Sequence, residues 1–167
     1  MAKDLRLLLF SECNRRCKGC CNKDWDLVNL PILKKYKGFK TVMLTGGEPM
    51  LRPSLIKLVA CHFRAESPKS KLILYTAKSN PPDALIDVLG HVDGLTLTLH
   101  TRKDVPDFKA FQAALARSGI KDKSLRLNVF HGISLKDVDT TGWVVKTGIK
   151  WIKDCPLPKN EVFMRWY

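Results

Sequence analysis

Acidic residues are scarce in this chain: 16 Asp and Glu stand against 29 Lys and Arg, giving a formal net charge of +13 over 167 residues. The imbalance favours acidic partners, nucleic acid or an anionic cofactor, yet charge alone governs solubility and encounter rate rather than fold. A basic tail is missing, and so is any strip of lysines interleaved with aromatics. Lys34, Lys35, Lys37, Lys40, Lys69, Lys71, Lys78, Lys121 and Lys123 are scattered, which reads as a solvated basic surface. Long hydrophobic runs are also absent. The opening MAKDLRLLLF holds an apolar run of about five residues followed by polar ones, neither a membrane span nor a signal peptide, so a cytoplasmic location is expected. No internal repeat, low-complexity tract or linker divides the chain, whose hydrophobic content is 45%. A single domain over 1–167 is expected, with βα units over 5–130 and an irregular segment over 131–167.

Cysteine is sparse but clustered. Of six, four lie in SECNRRCKGCCN, residues 11–22, and the other two, Cys61 and Cys155, are far away. A disulfide staple, a zinc site and a cluster-binding loop are the three readings. Disulfides are uncommon in a reducing cytosol, where closely spaced cysteines more often hold metal or do redox work. Cys13, Cys17 and Cys20 have the spacing C-x3-C-x2-C, which lets three thiolates converge and leaves a metal centre with one open position. Arg15, Arg16 and Lys18 add nearby positive charge that favours thiolates. Iron–sulfur clusters are normally held by four cysteines, so a set of three leaves the fourth site for a ligand. Zinc usually takes a closed set of four with a second ligand pair downstream. Here Cys21 is adjacent to Cys20 and points apart, while His62, His91, His100 and His131 are dispersed. Cys61, within LVACHF, reads as a small buried hydrophobe. Cys155 precedes Pro156 and is too solitary to hold a second cluster.

LRLLLF (5–10), KTVMLT (40–45), KLILYT (71–76), GLTLTLH (94–100) and SLRLNVF (124–130) read as strands. Between them, helices are marked by Pro31 to Gly38, by Pro53 opening SLIKLVACHF, by Asn80-Pro81-Pro82 before DALIDVL and Gly90, and by Pro106 before DFKAFQAALARS and Gly119. Strand and helix in alternation imply a parallel sheet with right-handed crossovers. WVVK, GIKWI and EVFMRWY could each supply a sixth strand. An open partial barrel and a doubly wound sheet both fit, and both place ligands at the C-terminal ends of the strands. The cysteine loop follows the first strand. After the second comes TGGEPML (45–51), whose glycines permit close backbone approach and exposed polar groups, with Glu48 as an acceptor for an ammonium.

CNRRCKGC and LTGGEPMLRPSL, one strand apart, together resemble the radical S-adenosylmethionine (SAM) superfamily. The resemblance implies a partial, open (β/α)5-6 barrel of parallel strands. It further implies that Cys13, Cys17 and Cys20 ligate three irons of a [4Fe-4S] cluster, with SAM chelating the fourth iron. Gly46, Gly47 and Glu48, followed by Pro49, would receive the methionyl amino group. The implied chemistry is reductive cleavage of SAM to a 5′-deoxyadenosyl radical that abstracts a hydrogen atom from substrate. An external electron donor of flavodoxin or ferredoxin type is implied as a partner. The family commonly has an aromatic residue before the third cysteine; this chain has Gly19, so Trp25 or Tyr75 becomes the candidate for the adenine.

Strand alternation adds further candidates. Thr96, Thr98 and His100 share one face, opposite Leu95, Leu97 and Leu99. Arg126, Asn128 and Phe130 likewise alternate with Leu125, Leu127 and Val129. Thr76, Thr98, His100 and Asn128 are thus candidates for SAM hydroxyls, and Arg126 or Arg102 for its carboxylate. An open barrel suits a large substrate, so an activase of glycyl-radical enzymes or a peptide-modifying enzyme is expected, although the Gly- and Arg-containing stretch of such activases is lacking before Cys13. The chain is also expected to lack room for auxiliary clusters. A nucleotide or deazaguanine substrate is the alternative, mildly favoured by the basic surface. A metal- or nucleic-acid-binding module without turnover is the alternative of another class.

Overall fold

The computed structural model describes residues 3–167. Seven strands form one parallel sheet: β1 (Lys3–Leu8), β2 (Phe39–Thr45), β3 (Lys71–Thr76), β4 (Gly94–Leu99), β5 (Ser124–Phe130), β6 (Val144–Ile149) and β7 (Glu161–Arg165). Their order is β6-β5-β4-β3-β2-β1-β7, so the sheet is open between β6 and β7. The α/β class and the open, partial-barrel arrangement are as expected. Both WVVK with GIKWI and EVFMRWY contribute to strands, so the sheet is wider by one strand than anticipated. β7 pairs with β1 in parallel, from Asp4 opposite Glu161 to Leu8 opposite Arg165.

Three helices, α1 (Pro53–Glu66), α2 (Pro82–Leu89) and α3 (Asp104–Ser118), fill three of the crossovers. Each starts with a proline in its first turn, where the missing N–H is no loss. The segment between Pro31 and Gly38 is not helical. Eight residues make a marginal helix without strong packing, and its apolar pair is used otherwise: Ile32 bridges to Arg165, and Leu33 N–H donates to the Arg165 carbonyl at 2.9 Å. Only two short 3-10 turns, Cys21–Lys23 and Leu27–Asn29, occur in this crossover.

Alternation on the strands divides the sheet into two faces. Leu5, Leu7, Val42, Leu44, Leu72, Leu74, Leu95, Leu97, Leu127 and Val129 are buried in one core with Ile56, Val59 and Phe63 of α1, Leu85 and Val88 of α2, and Phe108 and Phe111 of α3. The expected contact between leucines and helices is therefore present, leaving Arg6, Met43, Tyr75 and Thr98 on the opposite face. A smaller cluster of Leu8, Leu30 and Phe163, with Trp25, Leu27 and Leu157 against it, covers the β1–β7 edge.

Phe63 is fully buried and meets Tyr36 edge to face, with ring centroids 5.1 Å apart. Phe63→Ala is expected to lower unfolding free energy by about 3–5 kcal/mol, read from the denaturant midpoint of the metal-free protein.

Candidate active site

A cavity of about 310 Å³ opens where the C-terminal ends of β1 to β4 meet the cysteine loop. Its size falls in the range of small-molecule sites. Cys13, Cys17, Cys20, Gly46, Gly47, Glu48, Pro49, Thr76, Thr98 and His100 all line it, so ten of the candidates come together on one wall. Arg126 and Asn128 do not line it. Arg126 is exposed, and Asn128 sits beside Thr98 in the β4–β5 register with Oδ1 buried and without a protein partner. Arg102 is exposed and donates to the Gly132 carbonyl at 3.4 Å.

The Gly-Gly turn is held against the cysteine loop by backbone. Gly47 N–H donates to the Phe10 carbonyl at 2.8 Å, and Glu48 N–H to the Glu12 carbonyl at 2.9 Å. A Cβ at Gly47 would stand 1.9 Å from the Glu12 oxygen, so only glycine allows the two loops this close. The Gly46 carbonyl accepts from Asn22 Nδ2 at 2.8 Å, a contact from the far end of the same loop. Glu48 is buried and spends its carboxylate on three donors. Oε1 accepts from Met50 N–H at 2.9 Å and from the Thr76 hydroxyl, and Oε2 accepts from Ala77 N–H at 3.0 Å. It thereby ties the end of β2 to the end of β3.

Arg15 anchors the loop from the other side. Its Nη1 and Nη2 meet Asp104 Oδ2 and Oδ1 at 3.1 and 2.7 Å, and Nη2 also reaches the Ala77 carbonyl at 2.9 Å. Asp104 in turn accepts from His100 N–H and Thr101 N–H at 2.9 and 2.8 Å. Burial works to raise the Asp104 pKa, but the Arg15 guanidinium and these N–H donors prevail and hold the carboxyl below its ordinary range. The positive charge of Arg15 is thus already matched, which bears on the thiols. Burial first, and then neighbouring Cys20 and Cys13, push the Cys17 thiol up, outweighing Arg15 and Lys23. This reverses the expectation that local positive charge would favour the thiolate there. A metal's own charge would oppose that shift.

The other cation on the wall is Arg6, whose Nε lies 2.6 Å from Glu161 Oε1 and whose guanidinium sits over the Phe163 ring. Alternation with Leu5 and Leu7 could have indicated that face for Arg6. Trp151 also lines the cavity, from the irregular stretch between β6 and β7, and no local pattern marks it. Cys21 and Cys155 are joined as a disulfide, and Trp25 Nε1 donates to the Cys155 carbonyl at 3.2 Å.

The donor set fits a cluster with one corner reserved for a ligand. Three thiols and no fourth face one cavity. Among the described residues no three His, Cys, Asp or Glu stand close enough to hold a single metal ion, and a cluster needs its ligands further apart than one ion does. Arg15 Nε and His100 Nδ1, both on residues of this wall, are buried polar atoms without protein partners.

No family model matches the chain. Among curated proteins it is similar to the GTP 3′,8-cyclase of Staphylococcus haemolyticus strain JCSC1435, at 28% identity in a 156-residue alignment covering 83% of this chain and 39% of the cyclase. The GTP 3′,8-cyclases of Staphylococcus aureus strains JH9 and Newman match to the same extent. The chain therefore spans well under half the length of these relatives. Among the described residues no helix is long and apolar enough to cross a membrane.

Two outcomes follow from this geometry. Glu48→Gln would turn an amide NH2 toward the N–H of either Met50 or Ala77, which can only donate, so it is expected to destabilise the metal-free protein by about 1–3 kcal/mol in chemical denaturation. His100 is held below the ordinary imidazole pKa, first by burial and then by Arg15. As pH falls through about 6.5 the unfolded chain binds this proton before the folded one does, so stability declines toward pH 5. His100→Phe should flatten that decline, measured by denaturant midpoints of the metal-free protein from pH 8 to 5.

Proposed function

We propose that this chain is the catalytic core of a radical SAM enzyme that acts on a nucleotide-type substrate. One observation carries the reading: three cysteines of C-x3-C-x2-C spacing and the Gly46-Gly47-Glu48 turn line one cavity at the C-terminal edge of a parallel sheet. The curated relatives support the class, because a GTP 3′,8-cyclase is a radical SAM enzyme. Their substrate is a nucleotide, which together with the net charge of +13 favours a nucleotide over the glycyl-radical or peptide substrates expected first.

In this reading Cys13, Cys17 and Cys20 hold a [4Fe-4S] cluster, and SAM lies along the wall formed by Gly46, Gly47, Pro49, Thr98 and His100. When bound, the reduced cluster would supply one electron to the sulfonium of SAM, breaking its S–C5′ bond to leave methionine and the 5′-deoxyadenosyl radical. The chain's own task is placement. Glu48 and Thr76 fix the turn that faces SAM, and Arg15 with Asp104 fixes the loop between the first two cysteines. Arg6, paired with Glu161, brings a guanidinium to the cavity lining that Arg126 and Arg102 do not. The electron comes from a flavodoxin- or ferredoxin-type donor.

After anaerobic cluster reconstitution, SAM and dithionite are added with and without GTP, and 5′-deoxyadenosine is quantified. The expected result is production by the wild type, increased by a nucleotide, and none from the variant in which Cys13, Cys17 and Cys20 are all alanine. A fully loaded wild type that forms no 5′-deoxyadenosine would remove the enzyme reading and leave a binding module.

A further inference from the structure

Gly19 lies between Cys17 and Cys20, and the space its side chain would occupy belongs to Trp151. A Cβ there would stand 2.3 Å from Trp151 Cγ and 2.5 Å from Trp151 Cβ, closer than real atoms approach. The missing side chain and the indole are thus a matched pair, joining residues far apart in sequence. On the β4–β5 side the indole stacks on His100, with ring centroids 5.2 Å apart and planes 18° apart, and meets Phe130 at 4.6 Å. The residue nevertheless stays 40% exposed and lines the cavity.

The stretch that carries Trp151, residues 150–160, has no helix or strand to hold it. Instead it is fastened to the cysteine loop. Cys155 is bonded to Cys21, the residue after Cys20, and the Cys155 carbonyl accepts from Trp25 Nε1. Both fixings of this irregular segment are on the loop that bears the thiols. Trp25 is itself occupied: its ring packs edge to face on Phe163 at 5.3 Å. Trp25 and Tyr75 line the cavity too, but it is Trp151 that fills the space beside Gly19.

We propose that Trp151 is a binding residue whose indole stacks a purine ring in the cavity, and that the Cys21–Cys155 bond holds it in position. The identity of the ring as the adenine of SAM rests on the function proposed above. The stacking itself rests on the fit of Trp151 into the Gly19 notch and on its exposed place in the cavity lining. A rigid indole offers a large flat contact at little entropic loss, and one base–aromatic stack contributes substantially to binding of a nucleoside.

The test is anaerobic equilibrium dialysis of SAM and of 5′-deoxyadenosine against the cluster-loaded protein, with iron per chain and circular dichroism recorded for each variant. Trp151→Ala is expected to raise both Kd values about tenfold or more, the loss of one stack. Trp151→Phe should retain most of the affinity. Gly19→Ala, which leaves every ring intact but displaces the indole, should weaken binding as Trp151→Ala does. Cys155→Ser should weaken it by a smaller factor. If the wild type binds SAM and Trp151→Ala binds it equally well, the stacking role is overturned while the enzyme reading stands. If Cys155→Ser binds as the wild type does, the fastening role of the bond is overturned. If a loaded wild type binds neither ligand, both this inference and the function it rests on fall.

Discussion

The close approach of two neighbouring loops at Gly47 is the constraint on which the site depends. Two backbone hydrogen bonds, from Gly47 to Phe10 and from Glu48 to Glu12, bind the turn after β2 to the cysteine loop after β1. Only an absent Cβ permits them. Once the loops are joined, Glu48 points into the interior, where Met50, Thr76 and Ala77 satisfy it. The chain thereby connects the ends of three strands before any ligand is considered. This buried carboxylate is tolerable because its acceptor positions meet N–H and O–H donors and the Arg15 guanidinium acts on it from nearby.

Arg15 and Asp104 do for the other side of the loop what Glu48 does for the turn. Their paired geometry fastens the stretch between Cys13 and Cys17 to the start of α3 and to the end of β3. That charge is matched internally, and at Cys17 burial outweighs it. The loop is thus positioned by electrostatics, and metal binding would have to overcome the burial that raises the Cys17 pKa.

Much of this was legible in the sequence, and the reasons for the remainder are physical. Five strands, three helices and the division of the sheet into an apolar and a polar face follow from local periodicity and from Pro and Gly punctuation. The residues of SECNRRCKGCC and TGGEP sit where their positions after β1 and β2 require. What the sequence concealed is long-range. β7 joining β1, Arg15 meeting Asp104, Cys21 bonding Cys155 and Trp151 filling the notch at Gly19 each link residues separated by far more than a helical or strand period, so no local pattern encodes them. The stretch from Pro31 to Gly38 misled for a related reason: its proline and glycine are placed as for a helix, but Ile32 and Leu33 are drawn to Arg165 at the end of β7. Alternation alone points to Arg126, because it gives a face but not how far along the strand the cavity extends.

The parallel register of β7 has a topographical consequence. Because Leu8 stands opposite Arg165, the chain leaves the sheet on the edge where the cysteine loop begins rather than on the edge where β1 enters. Trp166 N–H donates back to the Leu8 carbonyl at 2.9 Å, and Tyr167 follows directly. Any segment attached after Tyr167, whether an affinity tag or a fused protein, therefore starts from the cavity's own edge of the sheet, whereas one attached ahead of β1 starts from the opposite edge.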